Sequence, residues 1–285
     1  MTYAGRPALQ RAWDARAAMN FICGGAGSGL IVFAVAGDAR GFALQALLLA
    51  GLVLVGGGLS CVWHELGRPR RALNVFRHAR TSWMSREAIA AALLVPVTLA
   101  AMAGVAGAPM LAAILAAAFA VCQARMLQAS RAIPAWREPL VAPLLVVSAF
   151  VEGGGLFFAV SPWLSLGNVQ VLVFFGSFVL VRVVVFLVYR RAVADTVPRA
   201  GLAALDRAGA VLHATTIASL VAIALIASGV AGELWPHAAI TSKSALFTGA
   251  SIRRGRLPGK TRSLTALEPA RRGGRMGLPP PPRSQ

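Results

Sequence analysis

Trp63-His64-Glu65-Leu66-Gly67-Arg68-Pro69-Arg70-Arg71, followed by Ser82-Trp83-Met84-Ser85-Arg86-Glu87, separates two long apolar segments at about 41–63 and 88–107. Each segment is long enough to cross a hydrocarbon layer of about 30 Å as a helix. Between residues 64 and 87 the chain carries six arginines, two of its four histidines and two of its ten acids. Charged and titrating groups are therefore gathered at one membrane edge, between two apolar crossings.

The pattern continues on both sides of this loop. Apolar runs lie at about 20–36, 41–63, 88–107, 108–124, 139–160, 169–189 and 209–232. Each is apolar all round and fits a helix of about 17–24 residues, as required where backbone polar groups cannot reach water. The runs predict an all-α polytopic membrane protein, a bundle of about seven transmembrane helices over 20–232. A polar lead, 1–19, precedes the bundle and a basic tail, 233–285, follows it. Only the Gly107-Ala108-Pro109 turn parts the third run from the fourth, which predicts a tight helical hairpin. With 57% apolar residues, 13% charged residues and a mean hydropathy of +0.69, the 285-residue chain is excluded from the ordinary soluble domains.

The net charge of +18 is unevenly spread. Residues 241–285 hold ten of the 28 Lys+Arg and one acid, whereas residues 1–240 hold 18 arginines, nine acids and no lysine. The arginines of the body sit in the short gaps between apolar runs, as in membrane-protein loops, and nucleic acid is not the expected partner. Call the N-terminal face of the bundle face A. The lead and the gaps after the second, fourth and sixth runs lie on face A and carry 16 arginines, while the opposite gaps carry only Arg40. The positive-inside rule then predicts face A, with the N-terminus, on the cytoplasmic side of a bacterial inner membrane.

Some features read as packing. Cys23, Cys61 and Cys122 form no C-x-x-C pattern and read as inert thiols. Gly24-Gly25-Ala26-Gly27-Ser28-Gly29 lacks the preceding strand and the following Lys-Ser/Thr of a phosphate loop. Small residues that let helices approach closely in lipid are the expectation. Ala34-Val35-Ala36 resembles a signal-peptidase site, but the lead is long and the later runs already mark a polytopic chain. The Pro/Gly-rich tail cannot bury a core and is expected to be disordered. Its lysines appear where an eighth span would fit, so from about residue 241 it reads as a frame-shifted or replaced terminus.

Polar residues inside the runs are functional suspects. Glu152 lies midway along the fifth run, beside Gly153-Gly154-Gly155, and its plainer reading is a protonated acid hydrogen-bonded within the bundle. Arg182 in the sixth run is expected to snorkel to face A, with a Glu152 pairing as the alternative. His213 opens the seventh run near face A, and Glu152, Arg182 and His213 together form a candidate proton path. Trp63 and Trp83 read as headgroup-level anchors. Pro69 to Arg80 is expected as a short helix lying on the membrane, its arginines facing lipid headgroups or a partner subunit.

The paired motifs His64-Glu65-Leu66-Gly67-Arg68-Pro69 with Arg71-Ala72, and Ser82-Trp83-Met84-Ser85-Arg86-Glu87, resemble the anchor-subunit family of anaerobic dimethyl sulfoxide reductases. Family members read approximately H-L-G-R-P-x-R-A and S-W-L-S-R-E. Arg125-Met126, Ala135 to Leu140, and Arg182 to Arg190 are similar as well, and the resemblance covers roughly 15–232. It implies a polytopic subunit that oxidises menaquinol and passes electrons to an iron–sulfur subunit and on to a molybdopterin catalytic subunit, with no haem or metal in this chain. The family's important histidine and glutamate fall on His64 and Glu87, and its loop arginine on Arg71. Two departures stand out: Glu65 is inserted after the histidine, and the family's eighth span is replaced by the basic tail.

The chemistry of the loop agrees with that expectation. Oxidising a quinol removes two electrons and two protons. An imidazole accepts one proton near neutrality, a carboxylate accepts the second, and fixed arginines stabilise the developing negative charge. His64 and Glu87 are the expected catalytic pair, and Arg68, Arg71 and Arg86 join them in quinol binding. The plainer reading is an interfacial histidine and a first-turn glutamate favoured by a helix N-terminus. Two other functions stay open. His64 and His213 could bracket a b-type haem, and Glu152 and Arg182 could serve a secondary transporter, although no inverted repeat is visible.

Single cysteines placed in loop 64–87, after replacement of the native three, are expected to escape an impermeant thiol reagent in intact cells and to react in inverted vesicles. Labelling in intact cells reverses the orientation.

Overall fold

A computed structural model describes residues 15–63, 69–130, 133–161, 164 and 169–227. Seven α-helices follow in order: α1 Ala15–Ala36, α2 Gly41–Trp63, α3 Trp83–Met102, α4 Ala108–Ala129, α5 Val141–Val160, α6 Val169–Ala192 and α7 Arg199–Ala227. Short 3₁₀ helices, Pro69–His78 and Pro134–Arg137, sit in two of the connections on the side of the α1 N-terminus. Among the described residues there is no strand, and six helices, α1 to α6, are long and apolar enough to cross a membrane. The chain is a helical polytopic membrane protein. Of the seventh run, residues 228–232 lie outside the described residues, as do the start of the lead, residues 64–68 and the tail.

The helix termini explain where the expected boundaries shift. The third run ends at Met102, ahead of the expected 107, because Gly104 takes a left-handed φ of 83°. There the Gly104 amide donates to the Ala101 carbonyl and the Val105 amide to that of Ala100, a capping pattern that stops the helix. Gly107, φ 77°, then caps the start of α4, with Pro109 in its first turn. The start of α3 reaches back to Trp83 because Ser82 caps it, accepting from the Ser85 amide at 3.4 Å. The fourth and sixth runs continue to Ala129 and Ala192, and the first begins at Ala15. Helix α7 begins ten residues before the expected start of its apolar run. Leu202 and Leu205 of its opening turns pack against the cluster of Leu127, Val141, Tyr189 and Val193, and Asp206 pairs with Arg190 at 2.5 and 3.0 Å. Beside that guanidinium the Asp206 carboxyl is held below its ordinary range.

Helix α1 is the centre of the bundle. It packs on α2, α5 and α4, and 61% of its membrane window is buried, against 28–50% in the other five spans. The glycine stretch 24–29 lies inside this helix, as packing and not as a phosphate loop. A Cβ at Gly27 would sit 2.6 Å from the Gly51 carbonyl oxygen of α2. One at Gly29 would collide with the Ala149 carbonyl of α5, and one at Gly153 with the Leu30 amide of α1. Backbone therefore meets backbone on two sides of α1, the approach that small residues permit in lipid. Above this contact Phe33 is fully buried and touches Phe157, Phe174, Phe175 and Phe178 with ring centroids 5.4–6.3 Å apart. Offset and edge-on rings of this kind add about 0.5–1.5 kcal/mol per pair beyond area burial.

Gly153→Leu is expected to destabilise the bundle by about 3 kcal/mol or more, because α1 and α5 must part to admit the side chain. Gly155→Ala, where a Cβ meets nothing, is expected to stay within about 0.5 kcal/mol. Reversible unfolding in mixed micelles compares the two, and equal effects would refute the backbone contact.

Candidate functional site

Five of the expected site residues have described side chains: Arg86, Glu87, Glu152, Arg182 and His213. His64 and Arg68 lie outside the described residues; Arg71 belongs to the Pro69–His78 helix, and its side chain is not among those described.

Glu87 sits four residues into α3, about 6 Å below the helix start at 1.5 Å per residue. It points into the bundle and is only 4% exposed. The side chains of Asn20 from α1 and Gln123 from α4, both buried, lie against its carboxyl within hydrogen-bonding reach. Gln123 is fixed by its Nε2, which donates to the Asn20 carbonyl oxygen at 3.1 Å. Glu87 Oε1 and Asn20 Oδ1 have no hydrogen-bond partner among the described residues. A buried polar atom left without a partner costs about 1–3 kcal/mol, so two such acceptors on neighbouring side chains mark a place that wants a donor.

Arg86 is committed elsewhere. Its Nε donates to the Ala79 carbonyl at 2.9 Å and its Nη2 to that of Arg80 at 2.8 Å, which pins the loop end onto α3. The same guanidinium lies 4.3 Å from the centre of the Trp83 ring, with that of Arg125 from α4 at 6.0 Å. Trp83 thus stacks against cations and joins α3 to α4, while Trp63 is exposed at the end of α2. The expected short helix on the loop is present as the Pro69–His78 3₁₀ helix, with Phe76 exposed.

Among the described residues Glu152 has no hydrogen bond inside the bundle. It is exposed on the flank, at the edge of a half-open cleft of about 80 Å³ between α1, α4 and α5. Phe21, Ile22 and Gly25 wall one side, and Gln123, Ser148 and Glu152 supply the polar atoms. Arg182 does not snorkel either. It is 5% exposed, and its Nη2 donates to the hydroxyls of Thr215 and Thr216 on α7, at 3.2 Å each. The snorkelling expectation fails because these hydroxyls hold Nη2 within the protein, although the buried Nε has no hydrogen-bond partner among the described residues. The charges of Glu152 and Arg182 interact without closing an ion pair. His213 packs edge-on against Phe186 with ring centroids 5.7 Å apart.

The structure thus brings Glu87 together with Asn20 and Gln123, which the sequence did not single out, and puts Glu152 within the field of Arg182. Asn20 stands at the polar edge of the first run and Gln123 near the end of the fourth; their single visible signal was an amide in an apolar run. No family model matches the chain, and no curated protein matches it.

Thr216→Val removes a buried acceptor from Arg182 and is expected to cost about 1 kcal/mol of unfolding free energy. Thr215→Val, at an exposed position, is expected to cost less than about 0.5 kcal/mol by the same chemical-denaturation measurement. The reverse order would place the guanidinium on the other hydroxyl.

Proposed function

We propose that this chain is the membrane anchor of a molybdopterin oxidoreductase complex of the dimethyl sulfoxide reductase type. In this reading it oxidises menaquinol at face A of a bacterial inner membrane and serves anaerobic respiration, with face A towards the cytoplasm. The observation that carries the reading is the Glu87 carboxyl: buried, held against two amides, and with one oxygen unengaged at the end of the bundle that bears the loop motifs. The motifs of 64–71 and 82–87 support the same family.

Menaquinol gives up two electrons and two protons on conversion to menaquinone. The electrons pass to an iron–sulfur partner subunit and from there to a molybdopterin subunit that reduces the terminal acceptor. The protons stay with this chain's side chains. His64 accepts one at its imidazole, and Glu87 accepts the other at Oε1. Asn20 and Gln123 keep the carboxyl in one orientation through this transfer. Arg68 and Arg71 offset negative charge as the hydroxyls ionise. Arg86, with its guanidinium already bonded to two loop carbonyls, acts as a positioning residue that holds the loop against Glu87.

In the assembled complex, His64→Ala and Glu87→Gln are each expected to lower menaquinol-dependent turnover by about 100-fold or more. Transfer from an artificial donor straight to the catalytic subunit is expected to be unchanged. Wild-type menaquinol turnover in both variants would end the proposal.

A further inference from the structure

We infer that Glu152 is a proton-exchanging group in the middle of the membrane, connected to Glu87 near face A through Gln123 and the cleft that Gln123 and Glu152 share. Glu152 lies eleven residues into α5, about 16 Å below the start of that helix, and Gln123 lies six residues from the end of α4, about 9 Å deep. Gln123 belongs to both neighbourhoods, since its side chain lies against Glu87 on one side and lines the cleft on the other.

The groups that face Glu152 decide its state. From α6 the facing charge is Arg182, whose Nη2 is tethered to Thr215 and Thr216. From α1 and α4 the cleft presents Phe21, Ile22, Gly25, Ala120, Gln123 and Ala124, none of which titrates. Further off, Glu87 and Arg86 of α3 interact with Cys122 of α4. A carboxylate at this depth with no ion pair closed on it is costly in lipid, so Glu152 holds a proton at rest.

The cleft supplies the connection. A water needs about 10–15 Å³ of such space and two or more polar partners, and a cleft of about 80 Å³ bearing Gln123, Ser148 and Glu152 meets both conditions. The depth difference between Glu87 and Glu152, about 10 Å, is covered by four hydrogen-bond steps of about 2.8 Å, which three waters provide. A proton moving inward leaves the Glu87 carboxyl for the first water while the last water gives one to a Glu152 carboxylate; outward movement is the reverse. Gln123 is a positioning residue, its amide fixed by the Asn20 carbonyl so that it orders the water next to Glu87. The inference does not rest on menaquinol as the proton source.

The test uses the full chain in lipid nanodiscs without any quinol. A hydrophobic carbodiimide, which reacts with protonated carboxyls in apolar surroundings, is expected to label Glu152 at about pH 6, to label it less as the pH rises, and to leave the Glu152→Gln variant unlabelled there. In D2O the protonated carboxyl band assigned by that variant is expected to shift quickly in the wild-type chain. Gln123→Leu, which removes the positioning amide, and Ser148→Leu, which fills the cleft from its other wall, are each expected to slow the shift about ten-fold or more. Slowing in either variant that elutes as a folded monomer supports the path. Absence of labelling at Glu152 from about pH 5 to about pH 9 overturns the proton-exchanging group. An unaltered shift in both variants overturns the connection.

Discussion

Helix α1 meets α2 and α5 through bare backbone, and the remaining geometry depends on that approach. In lipid the hydrophobic effect gives helices no reason to associate, so van der Waals contact over a close interface has to supply the attraction. Gly27 against Gly51, and Gly29 against Ala149 and Gly153, give such an interface on two sides of one helix. Once α1 is fixed, its first turns place Asn20 beside Glu87, and Phe21, Ile22 and Gly25 along the cleft. A side chain added to the stripe would therefore disturb the polar site as well as the bundle. The carboxyl of α3 depends for its orientation on a contact that α3 does not make.

Polar groups inside the bundle are arranged in two ways. Arg182 is held by hydroxyls from a neighbouring helix, and Arg86 by carbonyls of its own loop; both are anchored and have little freedom. Glu87 and Glu152 differ: one keeps an unengaged oxygen beside two amides, and the other stands at the edge of a cleft while Nη2 of Arg182 is bonded to α7. Fixed cations and adaptable carboxyls are the division of labour that proton chemistry asks for, since arginine does not give up its proton and a carboxyl changes state readily.

Much of this was legible in the chain. Six apolar runs gave spans because every backbone group in lipid must bond within its own helix, which leaves a run of fixed minimum length as the mark. The glycine stretch of α1 was readable as packing because no strand or Lys-Ser/Thr accompanies it. The end of α3 was misplaced because Gly104 lies among apolar neighbours, and hydropathy does not register a left-handed φ. The early start of α7 was missed because Arg199, Asp206 and Arg207 look like a loop, while Leu202 and Leu205 between them dock on the Leu127, Val141, Tyr189 and Val193 cluster. Arg182 was misread for a similar reason: the hydroxyls that hold it lie more than thirty residues away. Glu87 stood out from its motif, but Asn20 and Gln123 come from two other helices, and only the packing of α1 and α4 brings them to it.

The link between α1 and α2 carries one further consequence. Asp38 takes a left-handed φ of 51° as the helix ends, and its carboxylate meets Arg40 at 2.7 Å in full solvent, which holds the Arg40 proton more firmly still. Arg40 is the single loop arginine of its face, and the pair with Asp38 makes that link neutral. A membrane potential does work of about 2.3 kcal/mol per 100 mV on each unit charge carried fully across, and none on a neutral pair. The first hairpin can thus carry its turn across a membrane without the potential opposing or favouring the turn itself, so that crossing draws on the apolar burial of α1 and α2 alone.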